Sequence, residues 1–184
     1  MAEKTNDFMR AAMKMAVRAA AHDDVPIGAV IVRDGAIIGR GENKVQKKQN
    51  PTAHAEMIAI RAACKKIEKK FLDGCDIYVS LEPCAMCATA ISFARVRRVI
   101  FAADDPKGGG INFGPRIYET DGHLWKPDVI KDSVYSDESS MMLKRFFKNL
   151  RAKNLKKSAK KTPKEAVKKR AMAIKKTTKK GKKK

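Results

Sequence analysis

Apolar residues recur near the start of the chain at the spacing of one helix face: Phe8, Ala12, Met15 and Ala19, with Met9, Met13 and Ala16 widening the stripe. This predicts a core-facing helix over about 7–21, after Asn6 as its cap. Pro26 then opens Ile27-Gly28-Ala29-Val30-Ile31-Val32, whose near-continuous apolar character reads as a strand covered on both faces. Asp34-Gly35, followed by Ala36-Ile37-Ile38, is a strong hairpin signal. A polar loop from Glu42 to Asn50 leads to Pro51-Thr52 and a helix over about Ala53 to Lys65. The β-branched and aromatic run Asp76-Ile77-Tyr78-Val79-Ser80-Leu81 predicts a strand, ended by Pro83 where another helix begins. Val96 to Ala102 reads as a strand and Asp104 to Gly110 as a loop. Residues 111–130 are ambiguous, with Ile117-Tyr118 and Val129-Ile130 as candidate short strands. A last helix over about Asp137 to Arg151 has acids in its first turn and bases in its last, with Met142, Leu143, Phe146, Phe147 and Leu150 on one side. The order implies a three-layer α/β/α sandwich, with helices on both faces of a mixed sheet of about five strands.

Composition adds a tail to that picture. The 184 residues, 43% hydrophobic, suffice for one domain with a real core. The formal charge is +21, and it is unevenly placed. Residues 151–184 hold 17 Lys and Arg against the single Glu165, a net of +16, which leaves 24 basic and 19 acidic residues, a net of +5, in 1–150. Few large apolar residues follow Arg151, so the expectation is a folded domain over 1–151 and a disordered Lys-rich tail over 152–184. No apolar run is long enough to span a membrane. The first residues, Met1 to Asp7, lack the basic-then-apolar order of a secretory signal. The expected location is the cytoplasm, where four cysteines are metal ligands or reduced thiols rather than a disulfide frame.

Chemistry concentrates in two segments, Thr52-Ala53-His54-Ala55-Glu56 and Leu81-Glu82-Pro83-Cys84-Ala85-Met86-Cys87, each opening a predicted helix. Cys84 and Cys87 are three residues apart, so on a first helical turn both sulfurs point the same way, and the helix N-terminus favours their thiolates. With His54 as third ligand, a tetrahedral zinc keeps its fourth position open, the arrangement of a catalytic site. Glu56 lies two residues from His54, and an ideal helix at about 100° per residue would turn the two roughly 200° apart. A shared site therefore requires both at the helix N-terminus, where Glu56 would shuttle a proton without binding metal. Taken alone, His-x-Glu is coincidental in most chains, and Cys-x-x-Cys also serves as a redox pair or half of a structural zinc site. Cys64, inside a helix, and Cys75, just before a strand, read as buried or incidental thiols, and His22 and His123 as surface or capping residues.

Together the two segments carry His-x-Glu and Pro-Cys-x-x-Cys, the signature of the zinc-dependent base deaminases. With Val25-Pro26-Ile27-Gly28-Ala29-Val30 and Pro51-Thr52 they make the chain, from about Asp7 to Arg151, resemble the bacterial tRNA-specific adenosine deaminases of the cytidine deaminase superfamily. The resemblance implies the cytidine deaminase-like fold and one zinc per chain on His54, Cys84 and Cys87. It implies Glu56 as proton shuttle, and conversion of adenosine to inosine at the wobble position of tRNA by a zinc-activated water. Asn43 falls where the family contacts the base, beside Ala55. Asp105 and Lys107 fall where it meets the tRNA strand, and Phe146-Phe147 matches an aromatic pair of its last helix. A homodimer with RNA lying across both subunits is also implied. The chain departs from the pattern in its segment from Gly108 to Trp125 and at Asp24, where Glu is commoner.

Two other readings compete. A deaminase of a free nucleobase, nucleoside or nucleotide, of guanine, cytosine or cytidine type, would share fold and chemistry, but has no use for a flexible +16 tail. A nucleic-acid-binding protein with a structural zinc would need a fourth Cys or His, and none is placed for it.

Overall fold

The computed structural model describes residues 2–119, 122 and 125–159. Its elements are α1 (Ala2–Ala20), β1 (Gly28–Arg33), β2 (Ala36–Glu42), α2 (Val45–Lys48), α3 (Ala55–Ile67), β3 (Asp76–Leu81), α4 (Ala85–Phe93), β4 (Arg98–Ala103), β5 (Asp128–Lys131) and α5 (Ser136–Ala159). One sheet holds the strands in the order β2-β1-β3-β4-β5. Strand β1 is antiparallel to β2 and β3, while β3, β4 and β5 run parallel, so the sheet is mixed. The β1–β2 turn has positive φ at both Asp34 and Gly35, 49° and 76°, the backbone that matches strand twist in a two-residue hairpin.

Successive side chains of a strand point to opposite faces, and here both faces are covered. Ala29, Ile31, Ile77, Val79, Val99 and Phe101 pack with Ala55, Ala59 and Ala63 of α3 and with Ala88 and Ile91 of α4. Val30, Val32, Tyr78, Ile100 and Ala102 pack on the other face with Met9 and Ala12 of α1 and with Tyr135. Each large side chain removed from water contributes about 1.5–3 kcal/mol, which is why β1 and β3 read as apolar runs rather than alternating patterns. The expected α/β/α sandwich with a five-stranded mixed sheet is the fold.

Several details differ from expectation. Helix α1 begins at Ala2, so Asn6 lies within it rather than capping it. The loop after β2 contains α2, because the Asp24 carboxylate accepts hydrogen bonds from the Gln46 and Lys47 amides at 2.7 and 3.0 Å, a cap supplied from far away in sequence. Ile117-Tyr118 is not a strand but part of a 3-10 turn. The Ile117 amide donates to the Gly110 carbonyl and the Tyr118 hydroxyl to the Ala88 carbonyl, so this apolar pair fills the core without joining the sheet. Val129-Ile130 does form a strand, β5. Helix α5 runs past Arg151 to Ala159, so 152–159 are helical; the expected disorder otherwise concerns 160–184, outside the described residues. Two compact units are distinguished, 1–146 with the sheet and its packed helices, and 147–184, whose described part is the exposed basic end of α5. Among the described residues no helix is long and apolar enough to cross a membrane.

Candidate active site

The site begins where helices start. His54 has extended backbone (φ −69°, ψ 155°) and is the N-cap of α3, with Glu56 in the first turn. Cys84, also extended (φ −68°, ψ 169°), is the N-cap of α4, with Cys87 in its first turn. This resolves the angular problem of His-x-Glu: the imidazole leaves from the non-helical cap, not from the helix barrel. Gly41 of β2 lets the strand approach, since a Cβ there would lie 1.9 Å from the Ala55 carbonyl oxygen. Strand β3 delivers Pro83 and Cys84 from its carboxyl end. His54 Nδ1 lies 3.7 Å from Cys84 Sγ and 3.6 Å from Cys87 Sγ, and these ligand atoms all lie within 4.8 Å of one another.

Zinc fits this set. Bonds of about 2.0–2.3 Å at tetrahedral angles separate neighbouring ligand atoms by roughly 3.6 Å. Glu56 is buried and among the described residues its Oε2 has no hydrogen-bond partner, an orphaned acceptor that needs a water or metal-borne group beside it. Burial pushes the Glu56 carboxyl up to about 7, with the nearby Cys84 charge adding to the effect. A hydrogen bond from Cys87 holds the Cys84 thiol down at about 4, helped by His54. That same bond, with burial, pushes the Cys87 thiol up, and the bond to Cys84 raises the His54 imidazole. Two helix N-termini meeting at this point further favour the thiolate.

Beside His54 opens a cavity of about 200 Å³ lined by Asp24, Val25, Ile27, Asn43, Val45, Gln46 and His54. That is below the roughly 300–1,000 Å³ of drug-sized sites, and suits a single base. Of the expected site residues, His54, Cys84, Cys87, Glu56, Asn43 and Ala55 are thus gathered in one place, the last two buried. Asp105 spends one carboxylate oxygen on its own loop, where its Oδ1 accepts from the Lys107 and Gly108 amides at 3.2 and 3.0 Å, and Lys107 is the exposed cation of that loop. Phe146 stands half-buried on α5 and is not among the cavity-lining residues. Cys64 and Cys75 are free thiols and His22 hydrogen-bonds Lys47, while His123 lies outside the described residues. Sequence reading did not single out Glu82, a buried acid at the metal-binding turn; its one signal was an acid between a strand and Pro83.

Comparison with known proteins agrees with the geometry. Residues 2–103 match the family described as the cytidine and deoxycytidylate deaminase zinc-binding region. A tRNA-specific adenosine deaminase of Agrobacterium fabrum is 46% identical over 151 residues, covering 82% of this chain and 98% of the relative. A solved tRNA:A34 deaminase, studied for A-to-I editing at the wobble position of transfer RNA, superposes with a TM-score of 0.68 at 45% identity, covering 70% of this chain and 98% of its own. A guanine deaminase from Bacillus subtilis superposes with a TM-score of 0.52 at 47% identity, covering 54% and 64%. With its metal-binding signature assembled in space as well as in sequence, the chain belongs to the zinc-dependent cytidine and deoxycytidylate deaminase family.

Proposed function

We propose that this chain hydrolyses adenosine to inosine at the wobble position of tRNA. The observation that carries the reading is the clustering of His54, Cys84 and Cys87 at the helix start that also carries buried Glu56, beside a cavity of single-base size. The tRNA-specific relatives support the substrate, as does the +16 of charge over 151–184. Zinc held by His54, Cys84 and Cys87 supplies a Lewis acid that lowers the pKa of a water toward neutrality. Glu56 takes a proton from the attacking water and returns it to the departing amino nitrogen. The water oxygen bonds to purine C6, the C6–N bond breaks, and ammonia leaves. Asn43 and Ala55 hold the base, while Asp105, Lys107 and Phe146 belong to the surface that meets the strand.

We further assign catalysis to a domain of 1–151 and RNA holding to the tail of 152–184, in a cytoplasmic homodimer. A purine base deaminase is the second reading, favoured by the likeness to guanine deaminase. Inosine formation in an anticodon stem-loop RNA, measured beside free adenosine, cytidine and guanine, separates them. Activity confined to the RNA is expected; ammonia release from guanine with the RNA untouched would replace the proposal.

A further inference from the structure

The loop after β4 is tied to the metal-binding turn by one buried side chain and by two backbone contacts. Glu82 is 2% exposed and stands between β3 and Cys84. Its Oε1 accepts hydrogen bonds from the amides of Ile111, Asn112 and Phe113 at 3.1, 2.8 and 3.1 Å, and its Oε2 from the Asp105 amide at 3.1 Å. Four backbone donors on one buried carboxylate make a cradle that water cannot replace. The loop is fitted to it. A Cβ on Gly109 would lie 2.5 Å from the Glu82 carboxyl carbon, and one on Gly110 2.5 Å from the Ala85 amide nitrogen. Gly109 forms a β-bridge with Cys84, and the Gly110 amide donates to the Pro83 carbonyl. Both ends of the 105–113 loop therefore answer to Glu82, while its exposed middle carries Lys107.

We infer that Glu82 is a positioning residue: it docks the 105–113 loop on the metal-binding turn, and so sets how the polynucleotide strand is held. It takes no part in the chemistry. Its carboxylate is saturated by the loop and faces neither the cavity nor Glu56 in any hydrogen bond among the described residues. The kinetic consequence rests on the RNA reading above; the docking does not.

Glu82→Gln tests it with the full chain and its zinc. An amide can offer its oxygen to the 111–113 amides or to Asp105, but its NH2 must then face a donor on the other side. One zinc per chain is expected to remain. Amide exchange across 105–113, read by mass spectrometry without RNA, should quicken about tenfold or more. For the anticodon RNA, KM should rise about fivefold or more with kcat within about threefold. Unchanged exchange would overturn the docking role, and loss of zinc, or a fall in kcat at constant KM, would overturn the separation from chemistry. Gly109→Ala pushes on the carboxylate from the loop side and should reproduce the faster exchange and higher KM. If Glu82→Gln does not fold, that variant decides, and wild-type exchange and KM in it would overturn the inference. Should the wild-type enzyme leave RNA untouched yet deaminate a free base, the function reading fails while the exchange result still decides the docking.

Discussion

Glu56 sits in the first turn of α3, two residues from the His54 cap, and its Oε2 has no hydrogen-bond partner among the described residues. In the proposed reaction a carboxylate so placed serves the reacting water rather than the metal. Glu56→Ala should therefore keep one zinc per chain and lose about 100-fold or more of the rate, read by metal analysis and single-turnover assay on the same sample. Cys87 is buried and 3.6 Å from His54 Nδ1, so Cys87→Ala removes one of three ligands. Metal content should collapse in that variant, and full zinc occupancy would sink the assignment. Asn43 is buried on the cavity wall, and the proposed function assigns it to binding. Asn43→Ala should keep zinc and lower the rate at subsaturating RNA, and an unchanged rate there would remove it from the pocket.

Among the elements, β3 and β4 are joined by more than their ladder. Buried Asp76, opening β3, accepts paired hydrogen bonds from Arg97, just before β4, and from Arg98, its first residue, between 2.6 and 3.0 Å. Burial by itself would raise the Asp76 carboxyl, but the bonds from Arg98 and Arg97 outweigh it and hold the group below its usual value. A lowered folded-state pKa contributes stability above the unfolded value, about 3.9, and loses it as pH falls through the folded one. Both guanidinium groups remain partly in solvent, so Asp76→Asn should cost about 1 kcal/mol at neutral pH. In urea titrations the gap between variant and wild type should narrow as pH drops below about 4; a gap independent of pH would show that the pair does not act through charge.

For the whole molecule, the question is what 13 Lys and Arg against Glu165 in residues 160–184 do for an enzyme whose active site lies elsewhere. Basic residues along a phosphate backbone release counterions, giving affinity that falls steeply with salt and reads no sequence. Removing 160–184 leaves every described element intact, and should raise the KM for tRNA and flatten its salt dependence. The single-turnover rate at saturating RNA should stay within about threefold of wild type. If the shortened protein binds tRNA equally well at low and moderate salt, the tail serves targeting or solubility instead.

The parts legible from residue order are those governed by local rules. Continuous apolar or β-branched runs placed β1 and β3 and helical period the core face of α1; turn chemistry placed Asp34-Gly35; ligand type and spacing picked out His54, Cys84, Cys87 and Glu56. Each depends on neighbours a few residues apart, so a linear pattern carries it. Other features depend on groups meeting across long sequence separations. Asp24 caps α2 from 22 residues away, Tyr118 leaves the sheet for a bond to Ala88 30 residues back, and Glu82 gathers amides 23 to 31 residues ahead. A buried polar group is stable only where its partners arrive, and which partners arrive is settled when sheet, helices and loops pack together.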